Sequence, residues 1–180
     1  GENVVEREGL SIRHASRFIL IGSGNPEEGE LRPQLLDRFG LSVEVLTPDT
    51  VNERIEVIKR RDDYDNHPEE YAATWDKENR KLRNKIQKAR KSLGSITVDS
   101  KILEHCAQIC IDLGSDGLRG ELTLVRTARA LAAFNGKERV DVGHIKTIAP
   151  MALSHRLRRD PLDDAGSGTR VERSVQKIIG

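Results

Sequence analysis

The stretch Arg17-Phe18-Ile19-Leu20-Ile21-Gly22-Ser23-Gly24-Asn25 is a continuous apolar run that ends in small and polar residues. Strands in the centre of an open α/β sheet are covered on both faces, so their sequences are continuously apolar rather than alternating. The carboxyl edge of such a sheet is where these folds place their chemistry. The run therefore predicts a central strand whose end presents Asn25 at a functional edge.

The segments on both sides of this run extend the predicted sheet domain. Residues 2–14 contain two short candidate strands, one on each side of a Glu8-Gly9 turn, and this pattern is typical of a β-hairpin. A short helix is expected over residues 33–38, and the alternation at 41–46 predicts another strand. Because these elements are too few for a whole α/β domain, residues 1–47 are predicted to be the C-terminal part of one.

Residues 48–180 are predicted to form a helical domain, so the fold class is α/β plus all-α. Apolar residues recur there at spacings of three and four, for example along the third helix at Ile102, Cys106 and Ile109. Asp141 is the expected N-cap of the fifth helix, and the stretch 160–168 is expected to be a mobile linker. The predicted helices cover residues 51–64, 68–93, 102–113, 118–134, 141–156 and 169–179.

Composition excludes several classes of protein. The chain has 30 Lys plus Arg against 29 Asp plus Glu, so its net charge of +1 gives no domain-wide basic field that would attract nucleic acid. No apolar run approaches the roughly 18 residues of a membrane span. Two Cys in 180 residues exclude a scaffold built on disulfides and indicate a reducing, cytoplasmic setting.

The chain contains no motif that would hold a nucleotide by itself. A P-loop needs G-x-x-x-x-G-K-[ST], but the Gly-rich stretch 22–29 is followed by Glu30, and Gly136-Lys137 is followed by Glu138. Cys106 and Cys110 lie four residues apart on an apolar helix face, which favours packing in the core because zinc needs about four ligands. No metal site is predicted.

Three polar side chains are candidates for contact with a phosphate, and each has a purely structural alternative. Asn25 could orient a water or a phosphate oxygen, or it could simply form a turn with the following Pro. Arg38 could present a guanidinium to another subunit, or it could stabilise a helix end through the dipole. Arg119 lies in the first turn of a helix, where a cation is unfavourable unless an anion is bound there or Asp116 or Glu121 pairs with it.

The basic run His155-Arg156-Leu157-Arg158-Arg159 could also contact phosphate. Cations are ordinarily favoured at the end of a helix, and this run precedes Asp160-Pro161, so helix termination accounts for it. Only 3% of the residues are aromatic, which argues against a platform that stacks the bases of single-stranded nucleic acid.

Four blocks of sequence resemble the ATPase (I) subunits of magnesium chelatase, a branch of the AAA+ family. The resemblance covers essentially the whole chain and implies an α/β nucleotide-binding domain followed by a helical domain. The matching blocks are Gly1–Gly9, Leu20–Gly40, Asp116–Glu121 and His155–Leu162.

This resemblance also implies roles for the three candidates. Asn25 falls at the sensor 1 position, Arg38 at the arginine finger and Arg119 at sensor 2. The hairpin at residues 2–14 corresponds to an insertion of this branch of the family. The implied activity is ATP hydrolysis coupled to the insertion of Mg²⁺ into protoporphyrin IX, in chlorophyll or bacteriochlorophyll biosynthesis.

The implied partners are other copies of the subunit in a ring, a related D subunit and a large H subunit that binds the porphyrin. The implied cofactors are ATP and Mg²⁺, and the implied location is the bacterial cytoplasm or the plastid stroma. The only Met is Met151 and no Walker motif is present, so the chain is expected to be the C-terminal portion of the subunit and inactive alone. Another AAA+ remodelling or helicase-like ATPase, or a non-catalytic assembly module, is the alternative function.

Overall fold

The computed structural model describes residues 1–25, 31–115, 117–157 and 166–180. The chain divides into two compact units, residues 1–32 and residues 33–180, and each is described by itself. This division does not test the predicted domain boundary after residue 47, which stays a prediction.

The first unit contains the predicted hairpin. Strand β1 (Glu2–Arg7) pairs antiparallel with strand β2 (Leu10–Ala15), with Val5 opposite Ile12 and Arg7 opposite Leu10. The two-residue turn places Glu8 at φ 50° and Gly9 at φ 83°. Hairpin turns of two residues use these left-handed conformations because their twist matches that of the strands. The hairpin prediction is confirmed.

The strands predicted over 17–25 and 41–46 are wrong. Both segments lack regular secondary structure, and the side chains of Ile19 and Ile21 are 89% and 90% exposed. A strand is stabilised by backbone hydrogen bonds to a neighbouring strand, and among the described residues β1 and β2 pair only with each other. An apolar run without a partner strand therefore stays irregular. In the second segment, the amide of Ser42 instead donates to the carbonyl of Met151 at 2.9 Å.

The second unit is helical. Its first two helices begin as expected: a short turn starts at the predicted proline, and Thr50 caps the next helix by accepting from the amide of Glu53 at 3.3 Å. Within the described residues, the helices are α1 (Pro33–Leu36), α2 (Val51–Asn66), α3 (Pro68–Thr74), α4 (Asp76–Ser92), α5 (Ser100–Asp112), α6 (Arg119–Phe134), α7 (Val142–Leu153) and α8 (Ser167–Ile179).

The single helix predicted over 68–93 is two helices, which meet at Trp75. The backbone of Trp75 lies at φ −92° and ψ −2°, and its amide donates to the carbonyl of Ala72 at 3.1 Å. This bond spans three residues instead of four, so the chain tightens locally and α4 begins as a separate helix. The ring of Trp75 contacts Tyr71, and the guanidinium of Arg60 on α2 lies over it at 5.3 Å.

The core lies among α4 to α8. Helix α6 packs against α4, α5 and α7, while α8 packs against α5 and α7. Small residues on α6 allow this close approach, and the largest side chain that α6 buries is Leu124, which is 0% exposed. The fully or nearly buried apolar residues are Ile96, Ile102, Cys106, Ile109, Cys110, Leu124, Ala128, Ala132, Ala133, Val140, Ile145, Ile148, Ala149, Ala152, Leu153, Val171 and Val175.

Helix α7 begins at a capping box. The carboxylate of Asp141 accepts from the amide of His144 at 3.0 Å, and the ring of His144 accepts from the amide of Asp141 at 3.1 Å. The bond that the carboxylate accepts from the amide of His144 lowers the pKa of Asp141. The N-cap prediction is confirmed, although the helix ends at Leu153 and a 3-10 turn, Ser154–Arg156, follows it.

The linker expected over 160–168 lies outside the described residues as far as 165, and residues 167 and 168 already belong to α8. None of the helices in the described ranges combines the length and the apolar character of a membrane span.

Candidate functional site

The candidate site centres on the chain that leaves α1, at Asp37-Arg38-Phe39. Because α1 is a single turn, the amides of Arg38 and Phe39 donate to the carbonyls of Leu35 and Leu36, each at 3.0 Å. Those two bonds fix the backbone only on the N-terminal side. Further hydrogen bonds to this segment from described residues come from α6 and from the turn that follows α7.

Arg156 supplies most of these contacts. Its Nη1 donates to the carbonyl of Asp37 at 2.9 Å and also pairs with the Asp37 carboxylate. Its Nη2 donates to the carbonyl of Phe39 at 2.8 Å, and its Nε donates to the carbonyl of Ala152 at 3.0 Å. The Arg156 side chain is only 4% exposed. A buried guanidinium is stable when its donors are satisfied and its charge is paired, as they are here.

Arg119 approaches the same carboxylate from the start of α6. Its Nη1 forms an ion pair with Asp37, and its side chain is 57% exposed. The preceding Gly117 has a φ of 70°, which turns the chain into the helix. The carboxylate of Asp37 therefore receives two guanidinium groups, one buried and one open to solvent. Its pairing with Arg119 replaces the sequence-based alternative of an ion pair with Glu121; Asp116 lies outside the described residues.

Arg38 lies between Asp37 and Phe39, whose backbone carbonyls both accept hydrogen bonds from Arg156. Its side chain is exposed, and in the described parts of the chain its guanidinium has no hydrogen-bond or ion-pair partner. The structure therefore brings Arg119 and the backbone of Arg38 together around Asp37. An exposed guanidinium on an anchored backbone can be presented to another molecule.

Asn25 belongs to the first unit and is described there alone. It is exposed and lies at the end of the irregular apolar segment, where the sequence predicted the end of a strand. Its assignment to sensor 1 stays a prediction that rests on the family resemblance.

Sequence reasoning missed Asp37, Arg156 and His155 as parts of this site. The ring Nε2 of His155 donates to the carbonyl of Phe39 at 3.1 Å, and burial lowers the pKa of this imidazole. The sequence predicts that the run His155–Arg159 terminates a helix; Arg158 and Arg159 lie outside the described residues, and Arg156 bonds to a carbonyl of the last helical turn. A signal was present, since this run belongs to a block of the family resemblance, but no local pattern identifies Asp37 as the partner.

The two cysteines lie in the core of the helical unit. Cys106 and Cys110 are each 1% exposed and are not in a disulfide. Burial, together with the charge of Glu121, raises the pKa of Cys106 to about 11 and that of Cys110 to about 12. In the described ranges, no group of three or more His, Cys, Asp or Glu side chains could hold a metal ion.

We expect neither thiol to react with iodoacetamide at pH 8 in the folded protein, because the thiolate is the reactive form and both groups are buried as thiols. Both should react once urea unfolds the chain. Mass spectrometry after timed labelling measures this directly. Modification of either cysteine under native conditions would contradict the described core.

Residues 103–178 match the AAA lid domain family. The chain is 62% identical to the magnesium-chelatase 38 kDa subunit of Cereibacter sphaeroides, over 99% of this chain and 54% of that protein. It is 60% identical to the 38 kDa subunit of Rhodobacter capsulatus, over 99% of this chain and 51% of that protein. The chloroplastic magnesium-chelatase subunit ChlI of Nicotiana tabacum is 47% identical, over 99% of this chain and 42% of that protein.

The chain thus spans about half the length of the curated relatives it matches. A solved structure of a candidate ATPase from Cytophaga hutchinsonii matches with a TM-score of 0.65 and 18% identity, over 98% of this chain and 58% of that one. At this identity the match concerns the fold alone. Together with the AAA lid match, it confirms the predicted fold class, the end of an AAA+ domain followed by a helical domain.

Proposed function

We propose that the chain is part of an ATP-driven motor subunit of magnesium chelatase, because over 99% of its length it is 62% and 60% identical to two magnesium-chelatase 38 kDa subunits and its residues 103–178 match the AAA lid domain. The motor couples ATP hydrolysis to the insertion of Mg²⁺ into protoporphyrin IX, in the formation of chlorophyll or bacteriochlorophyll. It works in a ring of like subunits and with D and H subunits, in the bacterial cytoplasm or the plastid stroma.

The observation that carries this proposal is the ion pair and hydrogen bond from Arg119 to Asp37, in the segment that bears Arg38. A partly exposed guanidinium at the first turn of a long helix is suited to a phosphate, because the helix amides and the positive dipole end favour an anion at the same place. The Asp37 carboxylate already occupies one side of this guanidinium. The exposed side of the Arg119 guanidinium would bind the terminal phosphates of ATP, the substrate of the proposed reaction.

The role proposed for each of the three side chains follows from its exposure and its position in the chain. Arg119 would bind phosphate on its own subunit, and Asn25 would orient the water that attacks the γ-phosphate. Arg38 would extend to the nucleotide of the neighbouring subunit and neutralise the charge that develops in phosphoryl transfer. We assign no Mg²⁺ ligand to the described residues. Bound ATP·Mg²⁺ supplies the reactive phosphoryl group, while these side chains bind it, orient it and stabilise its charge.

The proposal predicts that Arg119→Ala in the complete motor subunit weakens ATP binding. A hydrogen bond to a charged group contributes about 1.5–3 kcal/mol, equivalent to roughly a 10- to 100-fold loss of affinity. The matched control is Arg126→Ala, which removes an exposed arginine from the same helix. Titration with a fluorescent ATP analogue measures the affinities.

Equal affinities of the Arg119→Ala variant and the control would remove the phosphate-binding role of this site. If such a variant still formed rings and still bound its D-type partner, the chain would serve assembly alone. Stimulation of the ATPase by DNA would instead favour a helicase-like motor.

A further inference from the structure

We infer that Arg156 is a positioning residue for Arg38: it fixes the backbone on both sides of Arg38 and so determines where the Arg38 guanidinium is presented. This inference rests on the proposed role of Arg38 as an arginine finger. Arg156 itself is 4% exposed and touches no substrate in this arrangement. It acts only through the segment that it holds.

Arg156 bonds to the residues on both sides of Arg38. The guanidinium donates to the carbonyl of Asp37 at 2.9 Å and to the carbonyl of Phe39 at 2.8 Å. His155 donates a second bond to the Phe39 carbonyl at 3.1 Å. Between these anchors lies one residue, Arg38, whose own side chain is exposed. Its placement therefore depends on its backbone rather than on contacts of its guanidinium.

Arginine is suited to this task, and lysine is not. A guanidinium is planar and carries five donors in a fixed fork, so it can hold carbonyls and a carboxylate at the same time. Here it spans the Asp37–Phe39 segment and the last turn of α7, where its Nε bonds to the carbonyl of Ala152 at 3.0 Å. The chain that carries Arg38 is thereby fixed to the helical core.

The Asp37 carboxylate also connects this anchor to Arg119. Because Arg119 is more exposed than Arg156, it is the one of the two that can leave Asp37 for a phosphate. Arg156 would then keep the segment in place while Arg119 exchanges partners. The buried arginine thus preserves the position of Arg38 whether or not the subunit holds nucleotide.

The test is Arg156→Gln in the complete motor subunit, with Arg126→Gln as the matched exposed control. A displacement of about 1 Å in a reacting group costs on the order of 100-fold in rate, so we expect turnover to fall about 10- to 100-fold. Binding of a fluorescent ATP analogue should stay near the wild-type value, because the nucleotide pocket of the same subunit keeps Arg119. Turnover equal to that of the control would overturn the inference.

Mixed rings separate positioning from a general structural defect. An Arg156→Gln subunit keeps its own nucleotide site but presents its finger poorly, whereas a subunit unable to bind nucleotide still presents a correct finger. Rings mixed from the two should hydrolyse ATP faster than rings of either variant alone. Absence of this recovery, with both proteins folded by circular dichroism, would contradict positioning.

Arg156→Lys tests the positioning role if the Arg156→Gln variant does not fold. Lysine keeps the positive charge and the apolar stem but cannot span both carbonyls, so we expect reduced turnover with unchanged nucleotide binding. Full turnover by the Lys variant overturns the inference. Arg38→Ala, measured in parallel, tests the proposed function separately. If Arg38→Ala is fully active, the finger role fails. If Arg38→Ala is inactive while the Arg156 variants are fully active, only the role of Arg156 fails.

Discussion

Replacing Arg38 with alanine is expected to lower the ATP turnover of the complete motor subunit by about 10³-fold or more, the effect known for arginine fingers in phosphoryl transfer. The side chain is exposed and has no ion-pair partner in the described residues, so its loss removes no hydrogen bond or ion pair among them. Nucleotide affinity should therefore change little. A fall in turnover without a fall in binding identifies an interaction made only in the transition state.

Phosphate release measures the turnover, and a fluorescent ATP analogue measures the affinity. Arg126→Ala is the control, because Arg126 is an exposed arginine of the second unit outside the site. Subunits that carry Arg38→Ala should regain activity when mixed with subunits that cannot bind nucleotide, since the finger acts on a neighbour. Unchanged turnover of the pure Arg38→Ala ring would eliminate the finger role.

Replacing Leu124 with alanine is expected to destabilise the helical unit by about 2–5 kcal/mol. Leu124 is 0% exposed on α6, which has other helices on several sides, so the cavity left behind cannot easily close. The unfolding midpoint in urea should fall by about 1 M or more, with the slope of the transition unchanged.

Leu122 provides the matched control on the same helix, because it is 52% exposed. The Leu122→Ala variant should lie within about 0.5 kcal/mol of the wild type. Circular dichroism at a helical wavelength follows both transitions. Similar losses in the two variants would contradict the orientation of α6 that the structure gives.

The helical unit could be predicted well because its signals are local. The apolar stripe of α5 at Ile102, Cys106 and Ile109 is buried as its spacing predicts, and Asp141 caps α7. A helix makes its backbone hydrogen bonds within itself, between residues four apart. Periodicity and caps therefore suffice to locate it, with errors at its ends and at Trp75.

The strands could not be predicted in the same way. The run from Arg17 to Asn25 has the composition of a buried strand, yet strand formation depends on hydrogen bonds to other strands. The hairpin formed because both of its strands and their Glu8-Gly9 turn are contiguous in sequence. The apolar composition of residues 17–25 favours a strand, but the segment is irregular because no described strand pairs with it.

The sequence alone determined the hairpin, most of the helices, the resemblance to the magnesium chelatase ATPase subunits, and the candidates Asn25, Arg38 and Arg119. Only the tertiary structure decided that Asp37 joins Arg119 and Arg156, and that Arg38 lies between two anchored residues. The physical reason is the distance along the chain: Arg119 is 82 residues and Arg156 is 119 residues from Asp37. Local patterns extend over a few residues, whereas an ion pair needs proximity in space, which arises only when α6 and α7 pack around one core.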